Sequence, residues 1–321
     1  MACYKLFVIT LAIVFLYSYS GSAQLSHNYY KKSCIRVFEI VNGIVSKAIK
    51  HEKRMGASLL RLHFHDCFVN GCDASVLLDG KSGEKFAFPS NNSLRGFEVI
   101  DDIKTKLEEK CPGVVSCADI LAIAAMQSVV LLGGLSWDTK LGRKDSTKAY
   151  TSAANSGALP SPASNLNQLI KIFKANNLTK QDLVALSGGH SIGQTRCGVF
   201  KSRIYNETDI DESFATEARK GCPANKGDDK LEALDKSTPN KFDNSYYTAV
   251  TNRRTLLHSD QQLLSGGNKE IMAWVRKYSY DNYIFKRDFG ISMLKMGDIM
   301  PPKGTQGQIR KDCRKVNKKN I

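Results

Sequence analysis

Ala57-Ser-Leu-Leu-Arg-Leu-His-Phe-His-Asp-Cys-Phe-Val-Asn-Gly-Cys-Asp-Ala-Ser75 concentrates chemistry as no other part of this 321-residue chain does. It holds two of the six histidines, His63 and His65. Read as a helix over 57–65, it sets Arg61 and His65 at i and i+4 on one face, with Ser58 beside them. His63 then points away, because two residues turn a helix by about 200°. An imidazole beside a guanidinium can work as a pair: the ring moves a proton while the fixed cation stabilises developing negative charge. On residue types alone, a structural Arg and His satisfied by neighbours account for the same pattern.

Outward from this segment the next informative run is Leu183-Val-Ala-Leu-Ser-Gly-Gly-His-Ser191. An apolar helix ending in Ser-Gly-Gly-His delivers one imidazole, His190, at a close-packed point. Two glycines leave room there for a flat group, and neutral imidazole is a usual proximal ligand of haem iron. Gly-Gly as an ordinary helix terminator is the plainer reading.

The remaining periodicity is helical. Val37, Ile40, Val41, Ile44, Val45 and Ala48 form one amphipathic stripe. Phe97, Ile100, Ile103 and Leu107 repeat near the same period, as do Leu166, Leu169, Ile170 and Phe173. Ser116 can cap a helix from Ala118 to Leu132 that Gly133-Gly134 closes. Thr179 with Asp182 reads as a helix start. Phe242–Thr251 and Lys269–Tyr280 are further candidates, and long loops are expected around 80–95, 142–163 and 222–243. Strand-like alternation is scarce, and no repeat or linker divides the chain. The expected class is mainly α with minimal β.

Residues 1–23 read as a secretory signal peptide: Lys5, an apolar run from Leu6 to Leu16, then Gly21-Ser22-Ala23. The run is too short to span a bilayer comfortably. The protein domain would then be 24–321, exported, with no membrane partner. Of nine cysteines, Cys3 leaves with that segment. The even set of eight suits four disulfides in an oxidising compartment. About a hundred pairings are open to eight cysteines, and only Cys67–Cys72 is suggested by local geometry. A zinc site has no CxxC pair to build on. The formal charge of +15 favours an acidic surface such as anionic polysaccharide. Nucleic acid is disfavoured, because no basic cluster interleaves with aromatics. Arg310, Lys311, Arg314, Lys315, Lys318 and Lys319 read as a solvated tail. Sequons at Asn91, Asn177 and Asn206 permit N-glycans.

Taken together, the two histidine segments give the chain a clear resemblance to the secreted plant (class III) haem peroxidases, related to horseradish peroxidase. The resemblance runs from Gln24 to about Asn317. Arg61-Leu-His-Phe-His-Asp-Cys67 and Ala185-Leu-Ser-Gly-Gly-His190 are its most specific motifs. Asn92-Ser-Leu-Arg-Gly-Phe97, Ser116-Cys-Ala-Asp119, Leu141-Gly-Arg143, Phe242-Asp-Asn244 and His258-Ser-Asp260 support it. It implies a haem peroxidase fold with distal and proximal helices sandwiching haem b, in a monomer that reduces hydrogen peroxide and oxidises small phenolic donors.

The same resemblance implies roles. His65 would take a proton from peroxide and return it to the departing oxygen, and Arg61 would stabilise the charge. Phe64 would restrict access to the iron, His190 would be its axial ligand, and Asp260 would accept the other His190 N–H. Pro160 would offer its carbonyl to donors at the haem edge, near Phe88. One calcium would take side-chain oxygens of Asp66, Asp73 and Ser75 and carbonyls of Val69 and Gly71. A second would take Ser191, Asp235, Thr238, Asp243 and a carbonyl from Lys241. Disulfides Cys34–Cys111, Cys67–Cys72, Cys117–Cys313 and Cys197–Cys222 are implied.

The chain departs from the family pattern at Ser90, where an Asn usually accepts a hydrogen bond from the distal histidine. A shorter side chain predicts a less firmly held His65, unless Asn91 rotates inward. Glu84 keeps the position that supports this network. Lys144 replaces a common Arg, and Val199 an occasional aromatic at the haem edge. A basic wall-binding protein that keeps the fold but turns over poorly because of Ser90 is the alternative.

Overall fold

The computed structural model describes residues 25–80 and 83–318. The expected signal segment lies outside them, as do Gln24 and Lys319.

α1 (Val37–His51) buries Val37, Val41, Val45 and Ile49, the i, i+4 row of a single helix face. α2 (Met55–Phe68) carries the Arg61–His65 segment. α3 (Phe97–Lys110) buries Val99, Ile100, Ile103 and Leu107. α4 (Cys117–Leu131) is buried without a break from Cys117 to Met126, the pattern of a helix surrounded by other helices. It starts where its cap predicts: the Asp119 N–H donates to Ser116 Oγ (3.1 Å). α1, α2 and α3 all pack on α4.

α5 (Thr151–Asn155) breaks the loop expected around 142–163. α6 (Leu166–Ala175) opens with an Asn165–Gln168 capping box, and α7 (Lys180–Ser187) with the Thr179–Asp182 box. α8 (Cys197–Asn206) and α9 (Glu212–Gly221) enclose a small second core of Phe200, Ile204, Phe214 and Leu257. α10 (Ser245–Thr251) begins three residues later than the Phe242 start predicted, because the Asp243 carboxylate accepts the Ser245 N–H. α11 (His258–Ser265), α12 (Lys269–Tyr280) and α13 (Asn282–Gly297) complete a second helical group around α7. α13 buries Asp288 and Ser292 among its apolar residues, which blurs the stripe by which a helix is recognised.

The strands are short, as the scarcity of alternation predicts. β1 (Asp145–Ser146) pairs antiparallel with β4 (Gly307–Gln308), and β2 (Gln194–Arg196) with β3 (Leu231–Ala233). The four disulfides join Cys34–Cys111, Cys67–Cys72, Cys117–Cys313 and Cys197–Cys222. No helix among the described residues is long and apolar enough to cross a membrane.

The C-terminal basic residues correct the reading of a solvated tail. Arg310 is fully buried and donates to the carbonyls of Ala74 and Ser146 (2.6 and 3.3 Å). Arg314 pairs with Asp101 and lies over the Phe97 ring. The β1–β4 pairing and Cys117–Cys313 hold this segment against the body. Lys311, Lys315 and Lys318 are exposed as expected.

Candidate active site

α2 brings Arg61, Phe64 and His65 to one end of the first helical group. His63, two residues from His65, lies buried against the Cys67–Cys72 disulfide, its ring nitrogens 3.6 and 3.8 Å from Cys67 Sγ. Those sulfurs are bonded to each other, so this cluster is not a thiolate metal site. Ser58 bonds back to its own helix at the Arg54 carbonyl.

His65 is buried, and burial pushes its pKa well below the usual imidazole range, with the Arg61 charge adding to the effect. It is a neutral base at pH 7. Its Nδ1 lies 3.3 Å from Ser90 Oγ, a long contact for this pair of atoms. Asn91 is exposed rather than turned inward, as are Asn177 and Asn206 of the other sequons. Glu84 accepts the Tyr150 N–H (2.7 Å) and leaves Oε2 without a partner. Its surroundings are Ser75 and Asp73, and burial pushes its carboxyl up to about 7.

Arg61 is clamped to the loop that carries Ser90. It donates to the carbonyls of Pro89 (3.0 Å) and Ser93 (3.1 Å) and to Ser93 Oγ (3.1 Å). No carboxylate pairs with it among the described residues. Desolvation, with Arg54 nearby, pushes its pKa down to about 10, so it stays charged at neutral pH. Phe64 packs edge-on to His65 and against Phe68.

The second helical group presents His190 from a 3-10 turn, Gly188–Ser191, directly after α7. His190 Nδ1 donates to Asp260 Oδ1 at 2.8 Å. Burial alone would lower the His190 pKa, but the Asp260 carboxylate outweighs it and the net shift is upward. The His190 side chain keeps 39% of its surface accessible, which leaves space beside the ring. The positive charge of Arg61 acts on His190, and a Cβ at Gly189 would lie 3.6 Å from Leu60 of α2, so the His190 turn and the Arg61–His65 helix are neighbours. With Nδ1 committed to Asp260, Nε2 has no protein partner among the described residues and can ligate iron.

Gly188 does not make room for a flat group, contrary to the reading of the glycine pair. A Cβ there would come within 2.4 Å of Phe285 and 2.5 Å of the Tyr247 hydroxyl, so its absence serves core packing. Tyr246 was not singled out by sequence. Its hydroxyl donates to the same Asp260 oxygen at 2.9 Å. Nothing in spacing marked it, because helix α10 turns it inward only once α11 is packed alongside.

The residues expected to bind calcium meet the demands of a hard cation unequally. In the first loop Asp66 Oδ1, Asp73 Oδ2 and Ser75 Oγ are buried with no hydrogen-bond partner. Burial raises the Asp66 carboxyl well above its ordinary value, with Asp73 adding to it, and pushes Asp73 up to about 6. Three orphaned oxygens and two like charges in one dry site fit a divalent cation. Val69 and Gly71 lie in the same turn, between α2 and Asp73. At the second loop Ser191 Oγ is orphaned, whereas Asp235 and Asp243 are bridged by the Thr238 hydroxyl (3.1 and 3.0 Å). The Lys241 ammonium lies 3.4 Å from Asp243. This set gathers oxygens correctly but is already partly satisfied. Pro160 is half-buried, while Phe88 is 93% exposed with its amide tied to Asn155 Oδ1. Val199 and Lys144 lie at the surface.

A family model described as peroxidase matches residues 41–281. Peroxidase 4 of Vitis vinifera is 53% identical over 319 residues, covering 98% of each chain. Peroxidase 68 of Arabidopsis thaliana is 52% identical over 328 residues, covering 99% of this chain and all of that one. Peroxidase P7 of Brassica rapa subsp. rapa is 52% identical over 299 residues, covering 92% of this chain and all of that one. With these likenesses over nearly its full length, the chain belongs to the class III plant haem peroxidases and is a peroxidase enzyme.

Proposed function

We propose that the chain binds haem b between His65 and His190, reduces hydrogen peroxide there, and takes the electrons singly from small phenolic donors. What supports this reading most is His190, its Nδ1 committed to Asp260, together with a neutral, buried His65 and an Arg61 without a carboxylate partner among the described residues. When bound, haem supplies the redox-active iron.

The chain's residues do the rest. The neutral His65 accepts a proton from incoming peroxide and hands it to the oxygen that leaves as water. Arg61, fixed by the 89–93 loop, holds positive charge where negative charge develops, with little reorganisation. Asp260 keeps the His190 Nδ1 proton in place and makes the ring a more basic ligand. Phe64 crowds the distal side, and Pro160 with Phe88 supplies a donor edge. Asp66, Asp73 and Ser75, with carbonyls of Val69 and Gly71, would hold one calcium ion at the C-terminal end of α2, and Ser191, Asp235, Thr238, Asp243 and the Lys241 carbonyl a second beside the His190 turn. The family resemblance and the orphaned oxygens support both ions.

Residues 1–23 would direct export, and 24–321 would form the haem domain. The basic surface suits a monomer lodged on anionic wall polysaccharide. Retention of Arg61, His65 and His190 weighs against a wall-binding protein without turnover. The test is single-turnover reaction of the purified haem protein with peroxide. His65→Leu should slow it by about 10²–10⁴-fold, the usual worth of a general acid–base, while the Soret band persists. An unchanged rate would reject the role of His65, and failure to bind haem would reject the whole reading.

A further inference from the structure

Four aromatic rings run without a gap from the proximal histidine to the surface. The Tyr246 ring lies 6.2 Å from that of His190. Tyr247 follows at 5.0 Å, Tyr278 at 5.2 Å and Trp274 at 5.6 Å. The three tyrosines are buried, whereas Trp274, packed at the margin of the core on the same α12 face as Ile271, Val275 and Tyr278, keeps part of its surface in solvent. Aromatic contacts of this kind also stabilise any core. Three features set this series apart: its origin at His190, the oxidisable nature of every ring in it, and its end at solvent.

We propose that Trp274 is a second site of donor oxidation, connected to the haem pocket by Tyr246, Tyr247 and Tyr278, for phenolic polymers too large to reach the haem edge. The proposal rests on the haem peroxidase reading, since peroxide supplies the oxidant. Electrons travel inward one at a time. Tyr246 gives an electron to the pocket and is refilled from Tyr278 through Tyr247, and Tyr278 from Trp274. Trp274 is refilled by a phenol at the surface, which loses one electron and its hydroxyl proton and leaves as a phenoxyl radical. Two such electrons and two protons account for reduction of one peroxide to two waters.

Loss of an electron from a phenol needs somewhere for its proton. Tyr278 already donates to Asp288 Oδ2 at 3.0 Å, so the proton can shift along this bond and return when the ring is refilled. The Tyr247 hydroxyl donates toward the carbonyls of Val184 and Ala185 (2.9 and 3.3 Å) and has no carboxylate partner among the described residues, which makes it a bridge rather than a resting point. The Lys277 ammonium lies 4.9 Å from the Trp274 ring centre. A cation there disfavours oxidised indole and so keeps Trp274 oxidising enough to attack phenols. Trp137, the other tryptophan, reaches the interior through Phe289 and Phe242, rings that resist oxidation, and serves as the internal control.

The test uses the haem-loaded, calcium-replete protein with peroxide and no donor, in the presence of a nitroso spin trap, followed by peptide mass spectrometry. The adduct is expected on Trp274. Tyr278→Phe should lower it about tenfold, equivalent to about 1.4 kcal/mol in barrier. Trp274→Phe should cost a comparable factor in oxidation of a lignin polymer while guaiacol turnover persists. Tyr278→Phe keeps the buried ring, and Asp288 retains its bonds to Gln181 and Arg287, so the fold survives. An adduct confined to Trp137 or to the exposed Tyr280, no adduct at all, or labelling of Trp274 indifferent to Tyr278→Phe overturns the proposal. Those results with guaiacol turnover intact leave the haem peroxidase reading standing; loss of haem binding or of guaiacol turnover in the parent protein strikes that reading instead.

Discussion

At the scale of single residues, the contact between Ser90 and His65 is the weak point of the candidate site. The Ser90 hydroxyl meets His65 Nδ1 at 3.3 Å, and a freely turning hydroxyl restrains a ring less than a planar amide carbonyl does. Ser90→Asn should therefore raise the rate of the first reaction with peroxide, which stopped-flow absorbance would measure. If the rate does not rise, the weak contact has no kinetic weight. The expectation placed on Arg61, His65 and His190 rests on their spacing and on the resemblance. The long Ser90 contact, the outward turn of Asn91 and the second donor to Asp260, Tyr246, were not legible in the sequence. Each depends on a distance between segments far apart in the chain, and spacing within one segment does not encode it.

Among the elements, α7 matters most, because its end sets His190. Asp182 in its first turn ties it down twice. The carboxylate accepts the Thr179 N–H and hydroxyl as a cap, and accepts Ser292 and Lys295 from α13. Burial alone would raise the Asp182 pKa, but Lys295, Thr179 and Ser292 more than offset it, and the folded value lies below the ordinary one. Its contribution to stability is therefore fully present above the unfolded pKa, about 3.9, and is lost as pH falls through the lower folded value. Asp182→Asn should cost about 1–3 kcal/mol at pH 7, measured by urea unfolding, with the deficit closing in strong acid. A deficit that stays constant with pH would show that the carboxylate's charge is not what holds the two helices. The caps of α4 and α7 were legible because Ser116 and Thr179–Asp182 are local signals. α13 escaped notice, since its interior face mixes Asp288 and Ser292 with phenylalanine and methionine.

For the molecule as a whole, the Asp66–Ser75 loop, which reaches the end of α13 through the Cys72 N–H and the Ile299 carbonyl, and the long disulfide tie distant parts of the chain together. Without a cation, Asp66 and Asp73 keep orphaned oxygens in a dry site next to His65. Exhaustive chelation should change the haem absorption spectrum before helical circular dichroism falls. A spectrum that stays constant until the helices melt would show that the loop does not control the haem pocket. Cys117–Cys313 closes a loop of 196 residues, and replacing both cysteines by serine should cost about 2–5 kcal/mol of unfolding free energy. Loss of less than about 0.5 kcal/mol, within the range of an ordinary surface change, would mean that β4 and Arg310 hold the C-terminal segment unaided. The sequence by itself determined the helical class, the caps and the histidine–arginine pair, because these arise from the turn of a helix and the chemistry of neighbouring residues. Only the tertiary structure decided that Arg310 is buried, that Gly188 serves packing, and that four aromatic rings line up from His190 to Trp274. Contacts of that kind come from how helices distant in the chain settle against one another, where close packing selects among many arrangements that one pattern of residues allows.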